Sequence, residues 1–166
     1  MRTLAPTAVA AALSLSAVIT VACGKPPAAP PPLTIAAPPE SKVRAPMTIS
    51  ASADANPDRS GRPSPVVVRV YQLRTDAAFN AASFSDLFEN EDKALGAELI
   101  TRDEYVLAPQ DSRTIEVAIA GETRFLGAIA GFRDILNAQW RALVPAPKKG
   151  LAVAVERARL VMSPLN

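Results

Sequence analysis

The spacing of apolar positions changes several times along this chain, and each change marks a boundary. Residues 8–22 are apolar apart from Ser14, Ser16 and Thr20. Prolines then interrupt the chain up to Pro46, and beyond it short alternating runs begin. Met47-Thr48-Ile49-Ser50-Ala51-Ser52-Ala53 alternates apolar and polar, as a half-buried strand does. Pro65 opens Val66-Val67-Val68-Arg69-Val70-Tyr71-Gln72-Leu73, β-branched and apolar on both faces, which predicts a central strand. Thr114-Ile115-Glu116-Val117-Ala118-Ile119 alternates between the turn formers Pro109-Gln110-Asp111-Ser112 and Gly121. Leu151-Ala152-Val153-Ala154-Val155 alternates after Gly150. Leu160 and Met162 resume on the opposite parity, which predicts a bulge at Glu156-Arg157.

One helix interrupts the strands. Ser83-Phe84-Ser85-Asp86 has capping-box spacing, and Phe84, Leu87 and Phe88 share a helix face that reads as core packing. Residues 125–144 fit two patterns. Phe125, Ile129, Phe132, Leu136, Trp140 and Leu143 form a helical stripe, but Gly127 and Gly131 weaken a helix, and alternation fits two strands around a turn at Arg133-Asp134. The strand reading is preferred. Several short, evenly spaced strands predict a mainly β chain folded as a β-sandwich with a helical insert.

The first apolar run is an address rather than part of that fold. Arg2 followed by residues 8–22 reads as a signal peptide over residues 1–22, too short and too poorly flanked for a membrane span. It ends Thr20-Val21-Ala22-Cys23-Gly24, which resembles the bacterial lipobox, with Thr20 where leucine is usual. Cys23 is then the acylated first residue of the mature chain. The alternative is an ordinary cleaved signal beside an idle thiol. Lipidation is preferred because the only cysteine falls where the apolar segment stops. Each buried CH₂ contributes about 0.8 kcal/mol, so several acyl chains hold a protein to a bilayer where one chain does not. Gly24, in place of an aspartate that would favour inner-membrane retention, points to the outer membrane by the same resemblance.

Residues 23–46 carry Pro26, Pro27, Pro30, Pro31, Pro32, Pro38, Pro39 and Pro46. Such a stretch is read as an extended polyproline II or unstructured tether reaching up to about 70 Å, rather than as a ligand for a recognition domain. Residues 47–166 are left for the folded domain.

Composition narrows the chemistry. The 166 residues allow one domain, and 49% apolar residues allow a packed core. The net charge of +2, with no Lys/Arg block, argues against a nucleic-acid partner. Histidine is absent, which removes the commonest general base and metal ligand, and one cysteine precludes an intrachain disulfide. Glu89, Glu91 and Asp92 read as a solvated helix face, and Asp103 and Glu104 as the edge of a strand. No carboxylate pair stands in contrasting environments, no Gly-x-Ser-x-Gly turn appears, and Asn56-Pro57-Asp58 matches no calcium loop. The expectation is a non-catalytic protein with no cofactor beyond the covalent lipid on Cys23. Asp54-Ala55-Asn56-Pro57-Asp58-Arg59-Ser60-Gly61-Arg62-Pro63-Ser64, joining the first two strands, is long for a hairpin. It fits a plain surface loop or a recognition loop. In the latter case its prolines lower the ordering entropy of docking and its arginines supply interface contacts.

The string from Asn56-Pro57-Asp58 through Gly61-Arg62-Pro63-Ser64-Pro65-Val66 to Tyr71-Gln72-Leu73 resembles the type VI secretion outer-membrane lipoprotein family TssJ, also called VasD or SciN. Phe84-Ser85-Asp86-Leu87-Phe88, Leu95-Gly96, Arg124-Phe125-Leu126-Gly127, Phe132-Arg133-Asp134 and Trp140-Arg141 agree in the family's order. The resemblance implies a transthyretin-like two-sheet β-sandwich with a short helical insertion, and strands rather than helix over residues 125–132. It implies a scaffold in the outer membrane that holds the periplasmic domain of TssM and, through it, TssL. It assigns partner binding to the loop between the first two strands, here Asn56, Pro57, Asp58, Arg59, Ser60, Gly61 and Arg62. A lipoprotein binding a small ligand or glycan ranks second, because aromatics are only 5% of the chain and fall mostly at core positions.

Overall fold

The structure, a computed structural model, describes residues 42–165. Cys23, the leader and the tether up to residue 41 lie outside the described residues. In chain order the elements are β1 (Lys42–Ala51), β2 (Val66–Leu73), α1 (Ala77–Ala81), α2 (Phe84–Glu89), α3 (Glu91–Leu95), β3 (Leu99–Leu107), β4 (Ser112–Ala120), β5 (Phe125–Ala130), β6 (Arg141–Pro145), β7 (Leu151–Val155) and β8 (Leu160–Pro164). A 3-10 turn, Gly96–Glu98, leads into β3.

Two four-stranded sheets form, ordered β4-β1-β7-β8 and β3-β2-β5-β6. All neighbours are antiparallel except β1 and β7. Alternation along each strand decides what faces the interior. Met47, Ile49 and Ala51 of β1, with Leu151, Val153 and Val155 of β7, pack against Val66, Val68 and Val70 of β2 and Leu126, Ala128 and Ala130 of β5. Burial of each larger side chain stabilises the fold by roughly 1.5–3 kcal/mol.

β2 is apolar on both faces because it is covered on both. Tyr71, Leu73 and Ile129 form a second core with Phe79, Leu87 and Leu95 of the helical insertion. Gly127 makes room for it: a Cβ there would lie 2.7 Å from Phe79 Cζ, closer than real side chains approach. The helix start read from the sequence is present. Ser83 Oγ accepts from the Asp86 N–H, and the Asp86 carboxylate accepts from the Ser83 N–H. The insertion holds three short helices, though, where one was expected, because α1 and α3 show too little periodicity over five residues each to announce themselves.

On the inner face of β2, buried Gln72 reaches the other sheet. Its Nε2 donates to the Ala118 carbonyl at 2.8 Å, while its Oε1 accepts from the Ala120 N–H at 3.0 Å and the Thr123 hydroxyl at 2.9 Å. The side-chain amide thus stands in for a neighbouring strand along the outer edge of β4.

Three expectations are corrected, and one apolar position of the helical alternative, which was not the preferred reading, proves exposed. Pro46, assigned to the tether with a domain start at residue 47, lies inside β1 opposite Glu116. Its carbonyl faces Gly150, so its donor-less nitrogen points to the same side, where β7 has not yet begun, and no ladder bond with β4 is lost. Glu156-Arg157 is not a bulge but part of a hairpin turn between β7 and β8, closed by Glu156 N–H donating to Arg159 O at 2.8 Å; reversal of direction explains the change of parity. Leu136, counted in an apolar stripe, is 93% exposed on the β5–β6 loop. Glu91 is no solvated face: its side chain is only 13% exposed.

Candidate functional site

β1 ends in one sheet and β2 begins in the other, so residues 52–65 must cross the end of the sandwich. Asn56 fixes how they do it. It adopts a left-handed backbone (φ 48°), which asparagine tolerates better than most residues. At 3% exposure it is buried. Its Nδ2 donates to Pro65 O at 2.7 Å, its Oδ1 accepts from the Arg133 N–H at 2.8 Å, and its own N–H donates to Arg157 O at 2.9 Å. One residue therefore ties the β1–β2 loop to the β5–β6 loop and to the β7–β8 turn.

The tip is organised around Asp58. Its Oδ1 accepts from the N–H groups of Ser60 (2.8 Å) and Arg62 (3.0 Å), and its Oδ2 accepts from Arg62 Nε at 2.9 Å. The backbone closes with Asp58 N–H to Arg62 O and Gly61 N–H to Asp58 O. Gly61 sits at φ 78°, a conformation that glycine adopts without steric cost. The Arg62 backbone N–H, with the Arg62 guanidinium and the Ser60 N–H beside it, holds the Asp58 carboxyl below the usual carboxylate range.

Of the seven residues assigned to partner binding, Arg59, Ser60, Gly61 and Arg62 are exposed, Pro57 and Asp58 half-buried, and Asn56 buried. Asn56 is thus placed to shape the loop, with its amide engaged inside the fold. Arg62 holds Asp58 yet keeps 80% of its side chain exposed. Residues 56–60 face Phe132, Arg133 and Asp134 of the β5–β6 loop and Arg157-Ala158 of the β7–β8 turn across an open groove of about 930 Å³. Reasoning from the sequence did not assign these opposing residues to the site. The only signal was that Phe132-Arg133-Asp134 belonged to the resemblance.

Lys42, where the described chain begins, pairs with Ala120, whereas Ala51, at the far end of β1, pairs with Val155 beside the loop. The described chain therefore begins at the end of the sandwich opposite the groove.

A second polar cluster lies on the outer face of the other sheet. Glu91 is ion-paired to Arg102 and to Arg69 (3.4 Å), and Arg69 also pairs with Glu104 at 2.7 Å. The Arg69 guanidinium stacks 4.3 Å over the Phe88 ring. The Tyr71 hydroxyl lies 2.9 Å from Leu87 O and 3.1 Å from the Glu91 carboxylate, and burial, then the Glu91 charge, push its pKa well up. Opposite charges compensate one another across β2, β3 and α3, so the cluster pins the helical insertion to the sheet. Among the described residues no group of three or more Asp, Glu, His or Cys is placed to hold a metal ion, and no helix is long and apolar enough to cross a membrane.

Comparison with known proteins agrees with this architecture. A family model described as type VI secretion lipoprotein, VasD, EvfM, TssJ, matches residues 43–162. No curated protein sequence matches significantly. Among solved structures, the type VI secretion lipoprotein TssJ1 from Pseudomonas aeruginosa superposes with a TM-score of 0.71 at 29% identity, covering 76% of this chain and 98% of that one. Serratia marcescens Lip, a membrane-bound component of the type VI secretion system, gives 0.67 at 23% identity, covering 72% and 96%. A chain in the structure of the TssM C-terminal domain from EAEC gives 0.62 at 24% identity, covering 75% and 100%. The last two likenesses speak for the fold alone.

Proposed function

This chain belongs to the type VI secretion lipoprotein family, and from that footing we propose that it anchors and recruits the periplasmic domain of TssM at the outer membrane, as a non-catalytic scaffold. Acyl chains on Cys23 hold it to the periplasmic face of that membrane. Residues 23–41 give reach, and the 56–62 loop grips the partner. TssL is engaged indirectly, through TssM.

One observation carries this reading. The loop is built in advance: Asn56 braces its base and Asp58 brackets its tip, while Arg59, Ser60, Gly61 and Arg62 stay exposed. A loop already ordered loses little entropy on docking, and arginine is favoured in interfaces. The described chain begins at the end of the sandwich opposite this loop.

Arg59→Glu tests the reading cleanly, because Arg62 has an internal duty to Asp58 and Arg59 has none. Calorimetry with the periplasmic domain of TssM should show weaker binding with an unchanged unfolding midpoint. Equal affinity in wild type and variant would remove the loop from the interface.

A further inference from the structure

The second wall of the groove is Phe132, Arg133 and Asp134 of the β5–β6 loop, and further along that loop stands an exposed apolar side chain, Leu136. We propose that Leu136, on the same loop as Arg133, completes with Arg59 and Arg133 the docking surface, fitting a protein that offers an apolar socket edged by carboxylates. This rests on the reading that the periplasmic domain of TssM is the partner.

Three observations lead there. First, Leu136 is 93% exposed, well beyond Val106 (58%) and Val43 (56%), the other exposed large hydrophobics among the described residues. Exposure of a single leucine is ordinary, but this one stands on a fixed turn. The Asn137 amide donates to both carboxylate oxygens of Asp134 at 2.9 and 3.0 Å, and the Asn137 and Ala138 N–H groups donate to Asp134 O. A large apolar side chain held out on a rigid support is the form an interface anchor takes.

Second, the turn moves with the recognition loop. Asn56 accepts from the Arg133 N–H, while Gln139 N–H donates to Ala158 O and Leu160 N–H to Gln139 O. The three connections at this end are one cross-braced surface, so a partner that meets one wall of the groove meets the other in a set geometry.

Third, the charge at this end is unbalanced. Asp58 is ion-paired to Arg62, whereas Asp134, hydrogen-bonded to the neutral Asn137 amide, keeps its charge, so one carboxylate stands against the two arginines that follow. Arg59 and Arg133 are exposed, and their guanidinium groups have no partner among the described residues. Two unengaged guanidiniums across a groove, one of them on the loop that carries Leu136, complement carboxylates around an apolar pocket and would steer encounter with them.

The test uses the full mature chain in detergent, titrated with the periplasmic domain of TssM. Leu136→Asp should weaken binding at least about tenfold, as loss of a central apolar anchor does. Arg133→Glu should weaken it and flatten its dependence on salt. Val43→Asp, at the far end of the sandwich, should change neither. If wild type binds and Leu136→Asp binds equally well, this surface is wrong while the proposed partner stands. The surface is equally wrong if Val43→Asp weakens binding and Leu136→Asp does not. If wild type shows no binding, the partner itself is wrong and the surface falls with it.

Discussion

Replacing Asn56 by alanine should loosen the end of the sandwich where the three connections meet. The substitution deletes the bonds from Nδ2 to Pro65 O and from the Arg133 N–H to Oδ1. Each is worth about 1 kcal/mol net, and each abandoned backbone group lies beside the groove, where water can partly replace the lost partner. Alanine must also hold φ near 48°, a cost of about 1 kcal/mol that asparagine largely avoids. The sum is about 3 kcal/mol. For a domain of this size that corresponds to a fall in Tm of roughly 10 °C. Urea and thermal unfolding measure the total. Hydrogen exchange at the Arg133 amide reports the bridge directly and should quicken by up to about two orders of magnitude, the most that ~3 kcal/mol permits. Asn56→Gly separates the two contributions. It loses both bonds but adopts the left-handed backbone freely, so it should be more stable than Asn56→Ala by about 1 kcal/mol. An alanine variant within about 0.5 kcal/mol of wild type, or one as stable as the glycine variant, would refute the view that Asn56 is the brace.

Other expectations follow from single features. Gln72→Leu keeps volume but abandons the Ala118 carbonyl, the Ala120 N–H and the Thr123 hydroxyl, and should cost about 2–4 kcal/mol in urea unfolding; a neutral result would mean that water satisfies this edge of β4. Tyr71 is held neutral in the fold, its pKa raised above the ordinary value of 10.0. Its share of stability is therefore complete below about pH 10 and lost as pH rises beyond it, because the unfolded chain releases that proton first. Tyr71→Phe should lower stability at neutral pH by about 1 kcal/mol and flatten the alkaline limb of the pH–stability curve. Cys23→Ser should leave the domain folded but move it from the membrane fraction to the soluble periplasm; continued outer-membrane residence would end the acyl-anchor proposal.

Much of the scaffold could be read before any coordinates. Val66 to Val70 and Leu151 to Val155 announced their strands because a β-branched or alternating run has few other ways to bury one face. The Ser83 cap worked for a similar reason, since its chemistry lies within four residues. Failures came where the deciding partner was distant in sequence. Leu136 fits an apolar helical stripe because spacing alone cannot tell which side of a turn meets solvent. Glu91 looked solvated because Arg102 and Arg69, which compensate its charge, sit on β3 and β2.

By itself, then, the sequence determined local matters: the strand-rich fold class, the strands that alternate, the turn formers, and a loop between the first two strands too long for a hairpin. Only the folded chain shows which loops share an end, that Asn56 braces that end, that Gln72 seals the edge of a strand in the opposite sheet, and that Arg133 stands across the groove from Arg59. The physical reason is range. Period and turn propensity are set by a residue and its near neighbours, whereas burial, charge compensation and the satisfaction of a buried amide depend on groups that only the closing of two sheets brings together.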